Sequence, residues 1–496
     1  MTELELVRRA ESFGARIAVT SDGRDCTYDS LLSVSYGIAA SLLDGSQDLG
    51  EERVAFLVPA SFEYAAVQWG IWRAGGIAVP LSLSAADPEL EHVITDAQVN
   101  RIIARDDSLE RLKPLCDRLS VPLLSLDQIS SQESVPLPQL DAERRAMILY
   151  TSGTTNKPKG VVSTHGNIRA QITTLVEAWG WRPDDWIPLF LPLHHVHGIV
   201  NVLGCALWSG ARVDCFDSFD VPTVLGRVAA KDYSVFMAVP TIYVKLIQFL
   251  EGADGSDRAR FADGFAHMRL MVSGSAALPA SVHEQWTHLT EQKLLERYGM
   301  TEIGMAISNP LHGERRPGAV GEPLPGVTVR LIGEAGTLIR EEGVPGEIQV
   351  RGPAVFSEYW KSPDVTRESF VDGWFRTGDM AVLENGYYRI MGRLSVDIIK
   401  SGGYKLSALE IEDTLRTHPA IRECAVVGMP DDMWGEAVAV AIVLGDGEQI
   451  DLPALKEWAT ERMSVYKIPK SLRLLDDLPR NAMGKVTKPA VQKLFN

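Results

Sequence analysis

Up to about residue 310, short apolar runs alternate with stretches of helical periodicity, and this beat constrains the fold more than any other feature. RVAFLVP (53–59) reads as a buried strand and SFEYAAVQWGIWRAGG (61–76) as a helix stopped by glycine. GIAVPLS reads as the next strand, and DPELEHVITDA as a helix opened by Asp87 and Pro88. AMILY, IPLFLPL, ARVDCF, SVFMAVP and MRLMVSG continue the series. Uninterrupted apolar runs suit strands covered on both faces, so an α/β fold with helix-covered βαβ sheets is predicted.

The pattern changes between 318 and 392. VTVRLIG, GEIQVRG and GYYRIMGR are rich in glycine and alternating apolar residues, which predicts a β-rich, antiparallel, barrel-like subdomain. After Arg393 a smaller α+β pattern begins, with SALEIEDTLRTH and LPALKEWATERM as helices and AVVGM and AVAVAIVL as strands. The expected organisation is a large N-terminal domain over 1–392, a hinge at 393–397 and a small mobile C-terminal domain over 398–496. Residues 126–145 read as an exposed connection.

A chain of 496 residues is too long for one core, which also predicts two or three domains. The formal charge is −16 and no basic tract offsets it, so a nucleic-acid partner is not expected. Five dispersed cysteines without a CxxC pair predict reduced thiols and no zinc site. No run of apolar residues is long enough to span a membrane. The start, MTELELVRRAESFG, is amphipathic and lacks a signal-peptide core. The expected location is cytoplasmic, with a trimmed organelle presequence left open. Nothing in the sequence indicates an oligomeric state.

The strongest local signal is AMILYTSGTTNKPKGVV (146–162), in which an apolar strand ends at Tyr150 and small hydroxyl, glycine and lysine residues follow. Glycines let backbone N–H groups turn toward an anion, hydroxyls donate and lysines supply charge. The order is not that of a Walker A loop. Alone, such a run reads more readily as a mobile surface turn; the preceding apolar strand and the two lysines reverse that here. Other segments strengthen the anion-binding reading: SGSAALP (273–279), RYGMTE (297–302), WFRTGDM (374–380), GRLSVDIIKSGGYKL (392–406) and PRNAMGKVTK (479–488).

This ordered set resembles the adenylate-forming superfamily of acyl-CoA synthetases, firefly luciferase and peptide-synthetase adenylation domains, over nearly the whole chain. Within it the chain looks most like malonate–CoA ligases, through LPLHHVHG, VPTIY, SGSAALP, ERYGMTE and IKSGGYK. The resemblance implies an acid–thiol ligase that uses ATP, Mg²⁺ and CoA, makes an acyl-adenylate and releases AMP and pyrophosphate. It implies that Thr151, Ser152, Gly153, Thr154, Thr155 and Lys159 hold the β- and γ-phosphates. Thr301 would donate to the α-phosphate and Glu302 would hold the metal. Tyr298, with Gly299 and Met300 beside it, would stack on adenine opposite Ser275, Ala276 and Ala277. Asp379 would accept from the ribose hydroxyls with Arg393 nearby. Lys485 would contact the reacting carboxylate, and Ser401, Gly402 and Gly403 would let the pantetheine arm of CoA pass. Two departures stand out: Asn156 where the family has glycine, and one extra residue after the Gly392–Arg393 pair.

Arg297 is the residue that selects the acid in this reading. A charge at the inner end of a buried strand is costly unless paired. A second carboxylate on the substrate would pair with it through charge-assisted hydrogen bonds worth roughly 1.5–3 kcal/mol each. Ser273 lies at a neighbouring strand end and could donate to the same group. The resemblance adds His195 and His197 along the approach, and Met305 would limit depth. The substrate expected is malonate, with some tolerance for methylmalonate. The structural alternative for Arg297 is a salt bridge to Glu296 or Glu302. The functional alternatives are a ligase for another short or medium-chain acid and an enzyme that loads a separate carrier protein.

Overall fold

The computed structural model describes residues 4–129, 134–151, 158–333, 336–401, 404–431, 433–480 and 486–495. Among these the α/β beat appears as predicted, with strands such as Arg53–Leu57 and Ile77–Pro80 buried along almost their whole length. The helix between them, Phe62–Arg73, begins where the Ser61 side chain accepts the Tyr64 N–H and satisfies one of the free donors of the first turn.

One sheet has seven strands in the order Glu358–Tyr359, Lys159–Thr164, Arg145–Thr151, Ile77–Pro80, Arg53–Leu57, Arg101–Ala104, Leu123–Ser125. Its last five strands are parallel and its first three antiparallel. The sheet is therefore mixed, where uniform βαβ units were expected. The segment between Thr151 and Lys159 is too short for a crossover helix, so the chain returns as a hairpin.

A second layer joins two sheets. Arg24–Thr27, Ile17–Ser21, Arg212–Cys215 and Trp186–Leu189 form one; Val235–Ala238, Leu270–Ser273, Leu295–Met300, Gly304–Ser308 and Glu322–Pro323 form the other. They meet where the Ser234 N–H donates to the Trp186 carbonyl at 3.1 Å. Val235–Ala238, Leu270–Ser273 and Leu295–Met300 are parallel, so their carboxyl ends open on one edge. Crevices outside such ends are where open α/β sheets take ligands. Residues 274–278 and 298–302 emerge there.

Six strands lying between Thr328 and Arg393 form an antiparallel sheet, while Glu358–Tyr359 from the same span pairs with Lys159–Thr164. The strand Tyr387–Arg393 then ends, and Ile398–Ser401 opens a separate five-stranded sheet. This smaller domain packs Ala408–Leu415 on the long pair Ile421–Asp431 and Gly435–Leu444, around Ile411, Leu415, Val426, Val438 and Val440. Between the two sheets lies the turn 394–397, where Asp397 accepts the Arg393 N–H at 3.0 Å and receives Lys488 Nζ at 3.4 Å.

Candidate active site

The strand Leu295–Met300 leaves the core at its carboxyl end, buried over its first three residues and half-buried over its last three. Alternation along a strand sends successive side chains to opposite faces, so Glu296 and Arg297 part company. Glu296 is 5% exposed, and one carboxylate oxygen accepts the Leu278 N–H at 3.2 Å. Burial pushes its pKa up to about 8.

Arg297 is 4% exposed. Burial lowers its pKa to about 10, which still leaves it charged at neutral pH. Among the described residues it forms no salt bridge, and its buried Nε has no hydrogen-bond partner. Neither carboxylate of the structural alternative forms a salt bridge with it among the described residues: one Glu296 oxygen accepts the Leu278 N–H and acts on Arg297 only through its charge, and Glu302 accepts from the Tyr359 hydroxyl at 2.9 Å. The contact Arg297 makes is a long one, from Nη2 to Ser275 Oγ at 3.4 Å. The same Oγ lies 3.0 Å from His197 Nδ1. Ser275, expected in the wall opposite the adenine, thus turns its hydroxyl to the arginine side.

His195, two residues before His197, lies against His194 with ring centroids 4.1 Å apart. Burial lowers the His194 pKa to about 4, so that ring is neutral. Met305 is buried and pairs in register with Gly299. Ser273 ends its strand fully buried, and its hydroxyl has no partner among the described residues.

Tyr298 belongs to a different group. Its hydroxyl donates to Asp379 Oδ2 at 2.6 Å, and Arg393 Nε donates to Asp379 Oδ1 at 3.0 Å. Asp379 and Arg393 face each other across paired strands, and the Asp379 N–H donates to Thr377 Oγ1 at 3.1 Å. A buried carboxylate is tolerable here because the Tyr298 hydroxyl meets one of its oxygens and the Arg393 guanidinium the other.

A third group gathers at Glu302. Burial raises its pKa, while the Tyr359 hydroxyl opposes that rise. Lys159 Nζ lies 5.5 Å from the centre of the Tyr359 ring, and Lys159 faces Thr151 across the hairpin. The base of the hairpin at Thr151 and Lys159 and the Glu302 carboxylate therefore share one tyrosine. Thr301, Gly299 and Met300 are half-buried beside it, and Ala276 and Ala277 are exposed. Ser401 is buried at the end of its strand. Ser152, Gly153, Thr154, Thr155, Gly402, Gly403 and Lys485 lie outside the described residues.

Sequence reasoning missed Tyr359 and Thr377. Tyr359 sits in SEYW, far along the chain from Glu302, and no local motif flags it. Thr377 lies inside WFRTGDM but reads as a turn former.

Residues 6–360 match the family described as AMP-binding enzyme, and residues 410–485 match the AMP-binding enzyme C-terminal domain. The mitochondrial malonate–CoA ligase ACSF3 of Xenopus laevis is 44% identical over 519 residues, covering 97% of this chain and 90% of its own. The Homo sapiens protein of the same name is 44% identical over 526 residues, covering 98% and 91%. The crystal structure of ATP-bound MatB from Rhodopseudomonas palustris superposes with a TM-score of 0.90 at 32% identity, over 100% of this chain and 99% of that one. With a match over most of its length and relatives this similar from end to end, the chain belongs to the AMP-binding enzyme family.

Proposed function

We propose that this protein is an AMP-forming acid–CoA ligase that converts malonate, ATP and CoA to malonyl-CoA. The observation that carries the choice of acid is the buried Arg297 guanidinium, which no carboxylate among the described residues neutralises. The relatives named as malonate–CoA ligases support the same choice.

In the first half-reaction a malonate carboxylate oxygen attacks the α-phosphorus of ATP, the bond from that phosphorus to the bridging oxygen breaks, and pyrophosphate leaves. An anion approaches a polyanion, so the site must supply positive charge and donors where charge builds up. Lys159, Thr151 and residues 152–155 would take the β- and γ-phosphates, and Thr301 the α-phosphate. Tyr298, Asp379 and Arg393 would hold the nucleoside, and Lys485 would meet the attacking carboxylate. The distal carboxylate would rest on Arg297 and Ser275, with His197 behind the serine.

Magnesium suits the site because it is held by one or two carboxylates together with phosphates and water, and Glu302 is such a carboxylate. When bound, it neutralises charge on the phosphates. In the second half-reaction the CoA sulfur attacks the acyl carbon and the bond to the AMP oxygen breaks. Ser401, Gly402 and Gly403 would line the thiol's path, and residues 393–397 would be the hinge on which the smaller domain moves. The five free cysteines suit a reducing compartment, either the cytoplasm or the mitochondrion named for the relatives.

The test is AMP formation with malonate, methylmalonate, butyrate, hexanoate and benzoate, each with and without CoA. CoA-dependent turnover highest with malonate is expected. A preference for a monoacid would overturn the assignment, and AMP formation indifferent to CoA would favour loading of a carrier protein.

A further inference from the structure

The loop after Leu270–Ser273 contains a glycine and a serine whose conformations are the reverse of what residue type suggests. Ser275 has φ of +70°, a left-handed conformation that favours glycine. Gly274 is not in that region, so its backbone does not require glycine. Its surroundings do. A Cβ on Gly274 would lie 2.4 Å from Arg297 Cζ, 2.5 Å from Nε and 2.7 Å from Nη1. Side-chain carbon atoms do not approach other atoms so closely.

The bare face of Gly274 is thus the floor on which the guanidinium lies. The three nearest atoms all belong to the Arg297 head group, which stands on a flexible stem. An added methyl would therefore press first on the arginine head. The head could then no longer keep both its seat and its contact with Ser275 Oγ.

We infer that Gly274 is a specificity-determining position, whose missing side chain seats the Arg297 charge at the depth that a short dicarboxylate requires. This rests on the malonate reading above. Gly274 acts through Arg297 and is a positioning residue. A planar bidentate pair tolerates little displacement, so a small shift of the seat changes which acid is matched.

The test compares the full-length wild type, Gly274→Ala, Arg297→Ala and the double variant, with kcat and KM measured for malonate, succinate, butyrate and ATP. In Gly274→Ala, kcat/KM for malonate should fall about tenfold or more, while butyrate and the KM for ATP change by less than about twofold. In the Arg297→Ala background, where the space is vacant, Gly274→Ala should add no further loss. If Gly274→Ala does not fold but the double variant does, the clash is with the arginine and the inference stands. Unchanged malonate kinetics in Gly274→Ala overturn it, as do equal losses for every acid and for ATP. Failure of both Gly274 variants to fold also overturns it. If the wild type itself prefers butyrate, the malonate reading fails first and this inference falls with it.

Discussion

Arg297 and Tyr298 are neighbours on one strand, yet the guanidinium reaches Ser275 Oγ at 3.4 Å while the phenol donates to Asp379 at 2.6 Å. A single peptide step separates the group assigned to the acid from the group assigned to the nucleoside. Strand alternation makes this possible, because the two side chains leave on opposite faces. In the proposed reaction the reacting carboxylate and the α-phosphate would meet between them, close to Thr301.

Arg297→Ala should lower kcat/KM for malonate by on the order of a hundredfold, the loss of one or two charge-assisted hydrogen bonds. Longer monoacids should gain, since the buried charge no longer opposes an alkyl chain. Steady-state kinetics over the acid panel checks this, and unchanged malonate kinetics would make Arg297 a structural residue.

Tyr359→Phe removes the donor to Glu302. Burial already raises the Glu302 pKa, and the tyrosine hydroxyl holds it down. Its loss should raise that pKa further, so activity is lost at a higher pH as the solution is acidified. The profile of kcat/KM for ATP against pH should show the acid limb displaced upward, and a superimposable limb would refute the coupling.

Lys485→Ala should abolish adenylation of malonate while sparing thioester formation from preformed malonyl-adenylate. Pyrophosphate exchange and single-turnover thioester formation separate the two steps. Equal loss of both would count against the role given to this lysine.

Glu296 should make stability depend on pH. Its pKa is raised from 4.5 to about 8 by burial, so the folded protein favours the protonated form. The stabilisation is complete below the unfolded value and is lost as pH rises through about 8. The full shift corresponds to a few kcal/mol, on the order of 1.4 per pH unit. Thermal melts from pH 5 to 9 should show a decline in the wild type that flattens in Glu296→Gln. Parallel curves would mean that Glu296 titrates normally.

How much of this was legible in advance depended on how local each feature is. The helix Asp87–Asp96 and the strands Arg53–Leu57 and Leu270–Ser273 follow from periodicity and turn residues within a few positions, and they appear close to where the sequence predicts them. The motif residues Tyr298, Asp379 and Arg393 were also named from sequence, and the fold brings these three together. The hairpin at Thr151–Lys159 was not anticipated, because strand direction depends on which neighbour is available for pairing.

Residue order alone determined the α/β class, the large and small domains and the family, since periodicity, glycine placement and charge are written locally in the chain. Only the tertiary structure decided that Ser275 turns to Arg297, that Tyr359 joins Lys159 to Glu302, and that Gly274 lies beneath the guanidinium. Those contacts join residues from about twenty to two hundred positions apart, and whether a buried charge finds a partner depends on what the packed fold places within hydrogen-bond reach.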